Sequence, residues 1–219
     1  MAQVQTPISD LRHIRNLMER SRYFIGLSGL SGVGAGVSAL LGVAVILAYQ
    51  AAAPSAVEYA LRPAGGTIDH PWGIAPIPFL IVLGGLVLLG ALASTFFFTY
   101  RRVTRMGHAM ADPKTYKLVL NLAIPLVIGG VFCLALLYHG MAGLIGPTTI
   151  LFYGLALLNG SNFVSEALRL LAYLEIGLGL IALFFIGYGL YFWALGFGIF
   201  HIVYGLWMYY QYDTNEQGR

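Results

Sequence analysis

The chain has 219 residues, of which 58% are hydrophobic and only 10% are charged, and its mean hydropathy is +0.78. Soluble domains carry about 25% charged residues, so this composition excludes a water-soluble domain, a disordered segment and a nucleic-acid-binding protein. The formal net charge is +3, and the basic residues flank apolar segments instead of forming one patch. The composition therefore predicts a polytopic membrane protein.

Residues 1–22 form a basic segment that is predicted to be cytoplasmic. Within 8–22, Leu11, Ile14 and Met18 fall on one helical face and the charged residues fall on the other. This pattern predicts an amphipathic helix at the cytoplasmic lipid interface. A docking surface for a cytoplasmic partner is the alternative.

Long runs without charge follow, and roughly 20 residues are needed to cross the hydrocarbon core. The run 118–165 is too long for one helix, and the glycines and proline at 140–147 divide it in two. The predicted fold class is all-α, a polytopic membrane helix bundle with six transmembrane helices and an N-terminal amphipathic interfacial helix. The bundle is predicted to cover 23–212, with spans at about 24–49, 73–100, 118–138, 143–160, 167–187 and 190–211, before a cytoplasmic tail at 213–219.

The distribution of basic residues predicts the orientation. Of the 12 basic residues, all but Arg62 lie in the N-terminal arm, the even-numbered connections or the C-terminus. Positive loops stay on the cytoplasmic side of a membrane. The chain is therefore predicted to be a multi-pass protein of the bacterial inner (cytoplasmic) membrane with both termini in the cytoplasm.

Small residues repeat along the first span. Ser28, Gly32 and Gly36 recur every four residues, and Ala39 continues the same face. In lipid, small residues at this spacing let helix backbones approach closely, so we predict a packing face here. Its partner helix, from the same chain or from a second copy, stays open.

A carboxyl group lies deep in the fifth span, at Glu175. Charged residues in the middle of a membrane helix are costly and are usually functional or paired. His201 and Tyr204, on the sixth span, lie at nearly the same depth as Glu175, to within about 3 Å for ideal helices. These three residues form the candidate intramembrane polar site.

Three interpretations of this site remain open. Glu175 and His201 could form a neutral hydrogen-bonded pair that locks two helices, a site that handles a proton or cation, or a metal or haem site. Gly198 and Gly205 share a face with His201 and leave room beside the imidazole. The single cysteine, Cys133, excludes a cysteine-based metal cluster, and we predict no metal and no cofactor.

A second polar group is predicted at the cytoplasmic ends of the spans. It consists of Asn121, Asn159, Asn162, Glu166 and Arg169. These residues could cap helices and form a Glu166–Arg169 ion pair, or they could line a cytoplasmic mouth for a polar ligand.

Two stretches carry a resemblance to a known family. They are LMERSRYFIGLSGLSGVGAGVSALLG near the N-terminus, and ILFYGLALLNGSN through YLEIGLGLIALFFIGYGLYFWALGFGIFHIVYG near the C-terminus. They resemble two signatures of an uncharacterised family of bacterial six-helix integral membrane proteins of about this length. The resemblance implies a six-helix membrane protein, and it carries over no activity and no catalytic residue.

Two functions are compatible with these features. The first is a non-enzymatic accessory, scaffold or sensor component of a membrane complex, whose partners are the lipid bilayer and either further copies or other membrane subunits. The alternative is a small proton- or cation-coupled transporter or channel that uses Glu175 and His201, with Pro125 in the third span as a hinge. The sequence has no paired acids, no nucleophile–base spacing and no HExxH motif, so no enzyme is predicted.

Overall fold

The computed structural model describes residues 28–53, 70–105, 113–162, 164 and 166–213, and every regular element within them is helical. The first five helices are α1 (Gly29–Ala51), α2 (Pro76–Arg105), α3 (Pro113–Tyr138), α4 (Ile145–Ser161) and α5 (Glu166–Ala182). The last helix, α6, runs through four consecutive segments that alternate between α and π geometry: Gly189–Trp193, Ala194–Phe200, His201–Met208 and Tyr209–Asp213. The predicted amphipathic helix at 8–22, the connection 54–69 between the first two spans and residues 214–219 of the predicted cytoplasmic tail lie outside the described residues.

Five helical segments among the described residues are long and apolar enough to cross a membrane. They are Gly29–Ala51, Pro76–Arg105, Thr115–Tyr138, Ala142–Ser161 and Ile186–Gln211. The chain is thus an all-α, multi-pass membrane protein, which confirms the prediction at this level. The remaining helix, α5, has 17 residues and ends at Ala182 rather than at 187.

The helices divide into two compact units, and the first contains Thr99–Gly189. In this unit α3 packs against α4, and α4 packs against α5 as an antiparallel hairpin. The core of the hairpin consists of side chains with no exposed surface, among them Ile150, Ala156 and Ala172. α3 continues as one helix through Pro125.

Glycines bring the two helices of this hairpin close together. A Cβ atom added to Gly154 of α4 would lie 2.8 Å from the backbone nitrogen of Ile176. A Cβ atom added to Gly179 of α5 would lie 2.8 Å from the backbone nitrogen of Leu151. Since no side chain fits at either position, the backbones of α4 and α5 are in direct contact.

The second unit contains Ser28–Phe98 and the chain from Leu190 onward. Here α1 packs against α6, again through glycine. A Cβ atom added to Gly32 would lie 3.1 Å from the Cα atom of Gly205, and one added to Gly36 would lie 2.7 Å from the carbonyl oxygen of Gly198. The contact joins the first and the last helices of the described chain.

Aromatic side chains connect the end of α1 to the start of α2. The rings of Tyr49 and Phe79 stack with centroids 4.0 Å apart, and Trp72 meets both edge-on. The Tyr49 hydroxyl donates a hydrogen bond of 2.6 Å to the carbonyl of Ile74. Trp72 adopts a φ of 56°, a left-handed conformation that is uncommon for a bulky residue, and it is held there by these ring contacts.

We expect Gly205→Ala to destabilise the protein by about 1–3 kcal/mol, the usual cost of overpacking. The added Cβ atom would lie 2.6 Å from the carbonyl oxygen of Gly29 and 2.6 Å from the backbone nitrogen of Val33, and neither backbone atom can move alone. The measurement is the thermal unfolding midpoint of the purified protein in a mild detergent.

The matched control is Gly130→Ala, on α3, where an added Cβ atom meets nothing within 4 Å. Both variants gain the same helix propensity, so the difference between their midpoints reports the packing alone. Equal midpoints would show that the α1–α6 contact does not depend on Gly205.

Candidate functional site

The polar residues predicted at the cytoplasmic ends of the spans lie close together around the turn between α4 and α5. We call them the α4–α5 polar cluster (Asn121, Asn159, Asn162, Glu166 and Arg169). Because the chain reverses direction within a few residues, several backbone groups at the two helix ends lack helical partners. Short polar side chains and one arginine surround this turn.

Arg169 is the centre of the cluster. Its Nη1 atom lies 3.1 Å from each carboxylate oxygen of Glu166, its Nη2 atom lies 3.3 Å from Oδ1 of Asn162, and its Nε atom lies 3.5 Å from Oγ of Ser161. The planar guanidinium suits such a set of partners because its donors point in fixed directions. The Glu166 side chain is 70% exposed, so the ion pair by itself contributes little, and the cluster acts through the combined hydrogen bonds.

Two asparagines extend the cluster to α3. Nδ2 of Asn159 donates a 2.9 Å hydrogen bond to the carbonyl of Asn121, and Nδ2 of Asn121 donates to the carbonyl of Lys117 at 2.8 Å. Nδ2 of Asn162 donates to the carbonyl of Asn159 at 3.4 Å. All five residues therefore belong to one hydrogen-bonded series that ties α3, α4 and α5 together at one end.

Glu175 occupies the middle of α5 and has no exposed surface. Its position follows from the close packing of the α4–α5 hairpin, since a Cβ atom added to Gly154 would lie 3.0 Å from the Cβ atom of Glu175. Gly154 and Gly179 were not among the predicted packing residues. Gly179 lies four residues after Glu175 on α5, a spacing that puts both on one helical face and could have identified this glycine, whereas nothing in the sequence points to Gly154.

His201 begins the second α-helical segment of α6, directly after the π-helical Ala194–Phe200. It is 5% exposed, and its Nδ1 atom lies 3.0 Å from the carbonyl of Gly196. A carbonyl can only accept, so Nδ1 carries the proton of this hydrogen bond, and in the neutral ring Nε2 is an acceptor. The Phe197 ring lies nearly parallel to the imidazole, with centroids 6.0 Å apart.

The space that was predicted beside the His201 imidazole, at Gly198 and Gly205, is occupied by α1. The Leu40 side chain packs onto Gly198, and the backbone of α1 packs onto Gly205. These two glycines therefore serve the contact between α1 and α6. This role was missed because sequence spacing shows which residues share a face but not what covers that face.

The predicted site residues are divided between the two units. Glu175 lies in the first unit, and His201 and Tyr204, both buried, lie in the second. Their predicted pairing stays a prediction. Within the described part of the chain, no group of three or more His, Cys, Asp or Glu residues could hold a metal ion.

The predicted packing residues lie along α1 and its N-terminal end. Ser28 immediately precedes the helix and its carbonyl accepts a hydrogen bond from the Ser31 hydroxyl at 2.5 Å. Gly32 and Gly36 face α6, and Ala39 is 3% exposed. The helix that meets Gly32 and Gly36 thus belongs to the same chain.

Comparisons of the chain with models of protein families, with curated proteins and with solved structures find no match. The family resemblance described above therefore stays a prediction.

We expect Arg169→Gln to loosen the turn between α4 and α5, because the shorter amide cannot reach Glu166, Asn162 and Ser161 together. The loss should be about 1 kcal/mol, the net contribution of one or two partly exposed hydrogen bonds. Amide hydrogen exchange over residues 159–169 measures it, with faster exchange expected in the variant.

Arg62→Gln is the control, since it removes the same charge from a different connection of the chain. Equal exchange rates at 159–169 in the two variants would show that Arg169 does not stabilise the turn between α4 and α5.

Proposed function

We propose that this chain is a non-enzymatic integral membrane protein that acts as an accessory, scaffold or sensor component of a membrane complex, with further copies or other membrane subunits as partners. The observation that carries the proposal is a pair of adjacent glycines, Gly84 and Gly85, in the first half of α2. Both are exposed, and a Cβ atom added to either would meet nothing within 4 Å. Small residues on an outward-facing membrane helix leave room for the backbone of another helix.

The surface around these glycines is apolar along most of α2. Its exposed large side chains are Ile77, Leu80, Ile81, Val82, Leu86, Leu88, Leu89, Leu92, Phe96 and Phe97. Lipid can cover such a surface, but lipid gains nothing from a glycine, whereas a partner helix gains close van der Waals contact there. The glycine pair is therefore the part of this surface that favours a protein partner.

The hydrogen bonds within the α4–α5 polar cluster also support a structural role for these residues. The guanidinium of Arg169 is directed at three residues of its own hairpin, and Asn159 is directed at α3. A ligand entering the α4–α5 polar cluster would have to displace these bonds. We therefore favour the interpretation that the cluster holds the helix ends together over the interpretation that it lines a cytoplasmic mouth for a polar ligand.

The proposal places the protein in the bacterial inner membrane with six spans and both termini in the cytoplasm. α5, the fifth span in chain order, is needed to bring the number to six, and its 17 residues are at the lower limit of about 17–25 residues for a membrane helix. An even number of spans puts both termini on one side. The basic residues at the end of α2 and the start of α3 support assignment of that side to the cytoplasm.

The test is the size of the native complex. Extracted from its own membranes in mild detergent, the chain should migrate well above the mass of a single 23.7 kDa copy with its detergent. Gly84→Leu combined with Gly85→Leu should lower that size, because the two side chains would fill the space left for a partner helix.

The control is Gly130→Leu, the same change at another exposed glycine with open space beside it. A wild-type chain that migrates as a single copy would reject the accessory function. A loss of size that is equal in the α2 variant and in the control would reject α2 as the interface.

Glu175 favours a second candidate, a small proton- or cation-coupled transporter or channel that also uses His201. A carboxyl without exposed surface in the middle of a helix costs about 2.5–3.5 kcal/mol on insertion scales when it is charged, and such residues commonly mark ion pathways. A group of this kind is retained when it binds a proton or cation or holds helices together.

Proteoliposomes containing the purified chain distinguish this candidate from the first. If the chain conducts protons, Glu175→Gln should abolish a proton flux driven by a pH gradient, because the amide cannot exchange a proton. Glu166→Gln, which alters an exposed carboxylate at the end of the same helix, should leave the flux unchanged. A wild-type flux equal to that of empty liposomes would reject the transporter.

A further inference from the structure

The last turns of α2 extend beyond the hydrocarbon core of a membrane. The apolar part of this 30-residue helix, from Pro76 to Tyr100, is about 37 Å long at ~1.5 Å per residue, whereas the core is about 30 Å thick. Tyr100 is 52% exposed, and exposed tyrosines typically lie at the level of the lipid headgroups. Arg101 and the residues after it therefore lie among or beyond the headgroups.

Two arginines share one face of this extension. Arg101 and Arg105 are four residues apart, both are exposed, and side chains at this spacing are neighbours on a helix surface. They lie in the final turns of α2. The hydroxyl of Thr104 donates to the carbonyl of Tyr100 at 2.8 Å, so this hydroxyl is occupied within the helix.

We propose that Arg101 and Arg105 bind the phosphate of an anionic phospholipid, whose acyl chains lie along the apolar surface of α2. Guanidinium groups bind phosphate oxygens through paired, charge-assisted hydrogen bonds, and two of them on one face can hold a single phosphate from two sides. A zwitterionic lipid carries a cation beside its phosphate that these arginines repel. Free phosphate has no acyl chains and gains nothing from the adjoining apolar helix.

This lipid site is independent of whether the chain is an accessory subunit or a transporter. It assigns a lipid preference to the protein. It also gives the positive charge at the end of α2 a role besides setting the orientation of the chain in the membrane. Each arginine near an anionic headgroup is worth about five-fold in affinity, so two of them should give a clear preference.

The experiment uses the full chain, purified in a neutral detergent and titrated with phosphatidylglycerol or phosphatidylcholine of the same acyl chains. Native mass spectrometry measures the fraction of protein that carries one lipid. We expect phosphatidylglycerol to bind at least ten-fold more tightly, and Arg101→Gln and Arg105→Gln each to weaken it about five-fold. Phosphatidylcholine binding should be unchanged in both variants.

Arg62→Gln is the charge control, because it removes one positive charge from a different connection. Arg101→Lys keeps the charge but loses the paired geometry, and it should fall between the wild type and Arg101→Gln. Equal affinities for the two lipids, an effect of Arg62→Gln as large as that of Arg101→Gln, or full competition by millimolar inorganic phosphate would each overturn the proposal.

Discussion

Direct contact between helix backbones is the constraint on which the rest of this structure depends. Lipid tails are as apolar as leucine, so helices in a membrane gain little from hydrophobic burial and must gain from close packing. The described residues meet this requirement in two places, between α1 and α6 at Gly32 and Gly205, and between α4 and α5 at Gly154 and Gly179. Each contact lies within one of the two compact units.

The same constraint sets the surroundings of Glu175. A side chain at Gly154 would compete with the Cβ atom of Glu175 for space, so the glycine determines how closely α5 approaches α4 at Glu175. Arg169 joins the ends of the same two helices through Ser161 and Asn162, and Asn159 joins α4 to α3. Packing around Glu175 and the Arg169 hydrogen bonds thus act on the same two helices, α4 and α5.

Much of this architecture could be predicted from residue patterns. Charge-free runs place the apolar helices because the cost of a charge in lipid is large, and the spacing of Asn159, Asn162 and Arg169 around a short turn brings the polar cluster together. The partner of the Gly32 face could not be predicted. Hydropathy reports which residues avoid water, and in a membrane protein faces that meet lipid and faces that meet protein are equally apolar.

The depth comparison between Glu175 and His201 rests on ideal helices, and two local features depart from that assumption. α5 ends at Ala182 and a 3₁₀ turn follows at Ile186–Tyr188, which has a larger rise per residue than an α-helix. Ala194–Phe200 is π-helical, and its wider turns rise less per residue. The two residues therefore need not lie level in the membrane. Glu175 is positioned by the packing of α4 against α5, and His201 by its hydrogen bond to Gly196. Each of the two residues is thus held by contacts within its own compact unit.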